Sequence, residues 1–149
     1  MYYTLTKTYD NLKAAHRQWR HSGHCSFVHG ENWTIEITFQ TKELDYQNFV
    51  YDFGALRPLR SQLEAIFDHT LLIDADDPAR AFFEEMHDRK LADVRFLPSS
   101  GAEGLAKYVF DIADQFIREA TSCRVHCLKV SVYEDSRNNA AYVQHPTVE

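Results

Sequence analysis

The chain has 149 residues, 44% of them hydrophobic and 26% charged, which is enough for one compact core and too little for two comfortable ones. A formal net charge of −6 argues against nonspecific binding to a nucleic-acid backbone, so no nucleic-acid partner is expected. The opening "MYYTLTKTYDNLKAAH" lacks the basic region and apolar core of a signal peptide, and no stretch approaches the roughly 20 apolar residues of a membrane span; the expectation is a cytoplasmic protein with no membrane partner.

In chain order, residues 13–24 ("KAAHRQWRHSGH") carry Lys13, Arg17 and Arg20 with three histidines and no acid. That run reads either as a solvated loop or as a landing site for an anion. From Trp33 the residues alternate, with Trp33, Ile35, Ile37 and Phe39 on one side and Asn32, Thr34, Glu36, Thr38 and Gln40 on the other, the period of a strand with one buried face. Continued backwards, that register puts Glu31 and His29 on the side of Trp33. Residues 49–53 ("FVYDF") read as a second short strand. A helix follows, with Leu56, Leu59, Leu63, Ile66 and Phe67 at helical spacing and Pro58 in its first turn, and it delivers Asp68 and His69 at its end.

The stretch "DDPARAFFEEMHDRK" predicts another helix, capped by Asp77, with Phe82, Phe83 and Met86 as its apolar stripe, and "DVRFL" a short strand. After Pro98 comes the strongest helical pattern, with Leu105, Val109, Ile112, Phe116, Ile117 and Ala120 on one face and Ser100 with Glu103 matching an S-x-x-E capping box. Alternation returns in "VHCLKVSVYED", with Leu128, Val130 and Val132 inward and Glu134 next in that register, and "AAYVQ" predicts a last strand before a tail expected to be disordered after Tyr142. Strands, then helices, then strands, with hairpin-like pairs at each end, predict an α+β fold: an antiparallel sheet with its helices on one face.

His16, His29 and Glu31 are the candidate metal ligands, since two imidazoles and a carboxylate suit a divalent first-row metal and leave a position open for water or substrate. Cys25, four residues before His29, is a candidate base or nucleophile, because a nearby metal or cationic histidine favours the thiolate; a buried inert thiol is the plain alternative. Cys25, Cys123 and Cys127 form an odd set without a CxxC pair. On one strand Cys123 and Cys127 would lie about 13 Å apart, past the ~7 Å limit for a bridge, so reduced thiols are expected. Asp68 and His69 offer a proton shuttle or a histidine decorating a helix end. Glu134, on a buried strand face, must be paired or bind something, and with Glu103 it would suit a ligand rich in N–H donors such as a pterin or purine edge.

The motifs "AAH" at 14–16, "CSFVHG" at 25–30, "DF" at 52–53, "DH" at 68–69, "EGLA" at 103–106 and "VYE" at 132–134 occur in an order that resembles the 6-pyruvoyl-tetrahydropterin synthase and 6-carboxytetrahydropterin synthase family, over about residues 4–142. The resemblance implies a T-fold, a four-stranded antiparallel sheet with helices on one face, built as a single domain over 1–149 with a helical insertion at about 74–97. It also implies a homo-oligomeric barrel, trimer or hexamer, with active sites at subunit interfaces. Three residues between Cys25 and His29 are similar to the bacterial carboxy-forming branch, which feeds queuosine synthesis.

By that resemblance His16 and His29 are ligands of one divalent metal, zinc in the first place, and Glu31 stands where the family has a third histidine, opening the site to iron or manganese. Cys25 becomes the proton-abstracting base, Asp68 and His69 complete the acid-base set, Glu134 anchors the pterin and Glu103 lines its pocket. The implied substrate is 7,8-dihydroneopterin triphosphate and the implied products are 6-carboxytetrahydropterin, acetaldehyde and triphosphate, with the basic run at 13–20 as a place for the triphosphate. The alternatives are formation of the 6-pyruvoyl product or a related pterin side-chain lyase, and a pterin- or metal-binding protein without catalysis. Should Glu31 not ligate, His21 or His24 is the alternative third nitrogen.

Overall fold

Strand alternation around Trp33 is the seed of the architecture, and the computed structural model describes residues 1–145. Two long antiparallel strands, β1 (Tyr3–His16) and β2 (His29–Thr41), form the middle of a six-stranded sheet. The chain continues through α1 (Arg57–Phe67), β3 (Thr70–Asp74), α2 (Arg80–Asp88), β4 (Val94–Leu97), α3 (Ala102–Thr121), β5 (His126–Tyr133) and β6 (Asn139–Val143). The sheet order is β4-β3-β1-β2-β5-β6, with β1, β2, β5 and β6 antiparallel and β3 and β4 added in parallel beside the end of β1. The four-stranded antiparallel arrangement that the resemblance implies is thus present in β1, β2, β5 and β6, and the 74–97 segment adds β4 and the helix α2.

The hairpin partner of β2 differs from the expected one. It is β1, whereas residues 49–53 form no strand: they lie in a loop held by the Arg124 guanidinium, which donates to the carbonyls of Glu43 and Val50 at 2.8 Å each, and Asp52 caps a short turn by accepting from Gly54 N at 2.8 Å. β1 hides its period because a bulge interrupts it: Tyr9 pairs with Ile35 but Leu12 with Trp33, one extra residue on β1, with Asn11 in the left-handed region at φ 56°. Before the bulge Leu5 and Tyr9 face the core, and after it Leu12, Ala14 and His16 do. Since a slip of one residue turns every later side chain to the other face, this bulge is what points His16 inward.

A second bulge, between Thr38 and Phe39, opposes two residues of β5 to one of β2, so that Cys127 is fully buried and Leu128, expected inward, is only half-buried. The core lies between the antiparallel strands and helices α1 and α3: Trp33, Ile35, Ile37 and Phe39 meet Leu59, Leu63 and Phe67 of α1 and Leu105, Val109 and Ile117 of α3. β3 is buried along its whole length, as a parallel strand covered on both sides must be. Leu72 joins the main core, while Leu71 and Ile73 turn to Phe83 of α2 on the opposite side. The expected capping box does not form: Gly101 is the N-cap residue of α3 with no side-chain cap, and Ser100 Oγ donates instead to the Arg17 carbonyl at 3.0 Å. β6 carries the chain through Val143, past the point where disorder was expected, and 146–149 lie outside the described residues. Among the described residues no helix is long and apolar enough to cross a membrane.

Candidate active site and metal centre

Register brings the ligand candidates together. His16 and His29 are direct partners across β1 and β2, and Ala14 pairs with Glu31, so His16, His29 and Glu31 leave the sheet on one face beside Trp33. One ligand atom from each lies within 4.8 Å of the others, with burial rising from Glu31 and His29, both partly open, to His16, fully buried. His29 Nε2 is 3.0 Å from His16 Nε2 and 3.3 Å from Glu31 Oε1, and His16 Nε2 is 4.0 Å from the same oxygen. The rings of His16 and Trp33 meet edge to face at 4.9 Å, which fixes the imidazole plane.

The hydrogen bonds on the far sides of both rings assign the protons. His16 Nδ1 lies 2.7 Å from the Ser100 carbonyl and His29 Nδ1 2.8 Å from the Phe27 carbonyl. A carbonyl only accepts, so each Nδ1 carries a hydrogen and donates it, and in the neutral form of each ring Nε2 presents a lone pair. In that form two lone pairs face each other at 3.0 Å beside a carboxylate, a repulsion that a proton or a metal ion between them relieves. Burial holds the His16 pKa below its ordinary value, so this imidazole stays neutral and ready to ligate at neutral pH. The donor set therefore fits a divalent metal, with zinc, iron and manganese all compatible with two imidazoles and one carboxylate.

Glu134 follows the end of β5, half-buried, and its carboxyl is pushed above its ordinary value by burial and then by the charge of Glu31. Glu103 acts in the same direction from the first turn of α3, while His16 and His29 oppose it. Glu134 thus feels the charges of His16, His29 and Glu31 from the end of β5 and that of Glu103 from α3. Cys25 sits half-buried in a short 3-10 turn, His24–Ser26, whose backbone is tied to the segment after His16 by Gln18 N donating to the Cys25 carbonyl at 2.9 Å. It is not among the three clustered ligands.

Asp68 and His69 do pair, at 2.9 Å between Oδ1 and Nδ1. α1 ends at Phe67 and His69 adopts a left-handed conformation, φ 60°, which turns its ring back to its neighbour; its amide donates to the Lys13 carbonyl on β1. The pair stands in the open, His69 79% exposed, and opens on a depression it shares with His87, Lys90 and Asp93 rather than on the metal cluster. Of the basic run, Arg17 binds Asp77 through two hydrogen bonds of 2.6 and 2.8 Å, and Arg20 binds Asp76 at 2.6 Å and approaches Asp74 at 3.7 Å. Two of the three cations of the run are thus engaged by acids of the 74–97 segment. Sequence reasoning missed the roles of Ser100, whose carbonyl accepts from His16 Nδ1, and of Asp74, which accepts from the Ser100 amide; only the fold brings them there.

The fold and the site define an α+β subunit with a cluster of potential metal ligands at the mouth of a β-hairpin. The family described as 6-pyruvoyl tetrahydropterin synthase matches residues 4–145, and the chain belongs to that family, which makes it a lyase. A relative named 6-carboxy-5,6,7,8-tetrahydropterin synthase from Aquifex aeolicus is 26% identical over 95% of this chain and 98% of its own length. A relative of the same name from Bacillus subtilis is 31% identical over 89% of this chain and 80% of its own. Among solved structures, an uncharacterized protein from Wolinella succinogenes superposes with a TM-score of 0.84 at 17% identity, covering 97% of this chain and 99% of that one. The 6-pyruvoyltetrahydropterin synthase of Plasmodium vivax does so at 0.71 and 15%, covering 97% and 98%; both likenesses establish the shared fold.

Proposed function

We propose that this chain is a metal-dependent lyase that converts 7,8-dihydroneopterin triphosphate to 6-carboxy-5,6,7,8-tetrahydropterin, acetaldehyde and triphosphate, the reaction that serves queuosine (7-deazaguanine) biosynthesis. The observation that carries this reading is the pair of Nδ1-protonated imidazoles whose Nε2 atoms face each other at 3.0 Å beside Glu31. The curated relatives of that name, aligned over nearly the whole chain, favour the carboxy product.

His16, His29 and Glu31 would hold one metal, zinc first. Bound there, it would supply Lewis acidity to the hydroxylated side chain of the substrate. Glu134, with Glu103 beside it, would accept hydrogen bonds from the N–H edge of the pterin and orient the side chain toward the ligands. Cys25 as thiolate would take the proton from the side-chain carbon, and the Asp68-His69 pair would hold and return protons, the aspartate orienting the imidazole.

Because that pair opens away from the cluster within one chain, it would serve the site of a neighbouring copy. The strand edges support such an assembly. β1 meets β3 only through Ala14–His16, which leaves its earlier residues as a free edge among the described residues, and β6 is the other edge of the antiparallel run. With alternating directions along β1, β2, β5 and β6, the β6 of one copy can pair antiparallel with the β1 of the next and close a homo-oligomeric ring, a trimer or a pair of trimers.

The test is incubation of the metal-loaded protein with the triphosphate substrate, with acetaldehyde and the carboxypterin assayed as products. Recovery of 6-pyruvoyl-tetrahydropterin instead would assign the alternative lyase activity, and no turnover with zinc, iron or manganese would overturn the proposal. Direct ligation by Glu31 is checked separately: Glu31→His should raise zinc affinity relative to manganese, and an unchanged ratio would remove Glu31 from the ligand set.

A further inference from the structure

We propose that Asp74, the first residue of the 74–97 segment, is a positioning residue for the metal ligand His16 and acts through the backbone of Ser100. This inference rests on the reading of His16 as a ligand. The connection is continuous: Asp74 Oδ1 accepts from Ser100 N at 2.7 Å, and the Ser100 carbonyl accepts from His16 Nδ1 at 2.7 Å. A third bond, Ser100 Oγ to the Arg17 carbonyl at 3.0 Å, closes the loop onto the residue after the ligand. His16 and Ser100 are fully buried and Asp74 is 7% exposed, so these bonds lie largely out of water.

The charge of Asp74 is what needs explaining. A buried carboxylate is costly, and its cation, Arg20, is 3.7 Å away and mostly in solvent. An asparagine would satisfy the Ser100 amide without that cost, so holding the loop alone does not require an ion. A carboxylate accepts the amide hydrogen more strongly than a neutral group does, and it polarises the backbone whose carbonyl receives the His16 proton. The result is an imidazole held in one tautomer and one orientation with a more basic Nε2, the service that acceptors behind metal-bound histidines provide. Because the acceptor touching His16 is a main-chain carbonyl, no side-chain substitution can delete it, and Asp74 is the point from which it is controlled.

The experiment compares wild type with Asp74→Asn, and with Asp74→Ala as a second variant, in three measurements: zinc affinity by competition with a chromophoric chelator, the visible spectrum of the cobalt-substituted protein, and the His16 tautomer of the metal-free protein by heteronuclear NMR of labelled imidazoles. We expect Asp74→Asn to weaken zinc about tenfold or more, shift the cobalt bands and turn a single Nδ1–H tautomer into a mixture, while the metal-free melting temperature is nearly kept. Unchanged affinity, spectrum and tautomer in Asp74→Asn would overturn the proposal and leave Asp74 as an ion-pair partner of Arg20, whatever happens to the fold of Asp74→Ala. If wild type binds no metal, the ligand reading fails, and the tautomer measurement still decides whether Asp74 positions His16.

Discussion

Gly104→Ala sets two effects of opposite sign against each other. Gly104 lies in the first turns of α3 with an ordinary negative φ, so helix propensity alone predicts that alanine stabilises by about 1 kcal/mol. The structure predicts the reverse. A Cβ at this position would lie 2.3 Å from Ser99 Cβ, 2.5 Å from Ser99 Oγ and 3.0 Å from the Ser99 carbonyl, and two of those atoms cannot swing aside. Overpacking of this kind costs about 1–3 kcal/mol, and an overlap this deep belongs at the upper end, which leaves a net loss of about 2 kcal/mol. For a chain of this size the melting temperature should fall by about 4–8 °C. Ser99 precedes the residue whose carbonyl holds His16, so zinc affinity should fall in the same variant. Gly30→Ala is the control: nothing lies within 4 Å of its added Cβ, and its stability should hold or rise. Differential scanning calorimetry of the metal-free proteins decides, and a Gly104→Ala melting temperature at or above wild type would refute the reasoning.

Cys25→Ala should abolish turnover while leaving the metal content intact; a normal rate would remove the thiol from its role as base. Zinc at a hundred times its dissociation constant should stabilise the folded chain by about 2.7 kcal/mol, read as a rise in the denaturant midpoint, and no rise would deny binding to the native state. Tyr9 is buried with a hydroxyl that has no hydrogen-bond partner among the described residues, and burial pushes its pKa up to about 12. Tyr9→Phe should therefore be neutral or stabilising by up to about 1 kcal/mol, whereas a clear loss would mean that the hydroxyl is satisfied. In the metal-free protein the folded His16 pKa lies below the unfolded value of 6.5, so the unfolded chain binds the extra proton and stability should drop as pH falls below 6.5. Glu134, raised above 4.5, has the opposite sign, so Glu134→Gln should stabilise the metal-free protein at neutral pH and lose that advantage as pH falls toward 4.5. Urea midpoints across pH measure both.

What was legible in the sequence is what single-period patterns encode. The stripe of α1, the long face of α3, the alternation of β2 and the approach of His29 and Glu31 to Trp33 all follow from spacing within one element. What was hidden depends on phase shifts and on neighbours. β1 carries one inward face on odd residues and then on even ones, because Asn11 in the left-handed region absorbs a residue, and no constant period spans that change. "FVYDF" has strand-like composition, yet it pairs with no strand, and Arg124 claims a backbone carbonyl there. Ser100 looks like a helix cap and instead faces Arg17 and His16, a choice made by packing between α3 and β1.

The electrostatics of the site unite these separate findings. In their neutral forms two imidazoles present Nε2 lone pairs to one point, Glu31 adds a carboxylate to it, and burial together with the charge of Glu31 holds the Glu134 carboxyl above its ordinary value. Each feature is unfavourable on its own: lone pairs collide, like charges repel, and a partly buried carboxylate loses solvation. A divalent cation at the cluster reverses the sign of all three at once, because it accepts the lone pairs, neutralises Glu31 and attracts Glu134. Arg17 and Arg20 are engaged elsewhere, Arg17 with buried Asp77 and Arg20 with Asp76 and Asp74. The acids of the 74–97 segment thereby keep both guanidiniums off the His16-His29-Glu31 cluster, while Asp74 of the same segment accepts from the Ser100 amide behind His16.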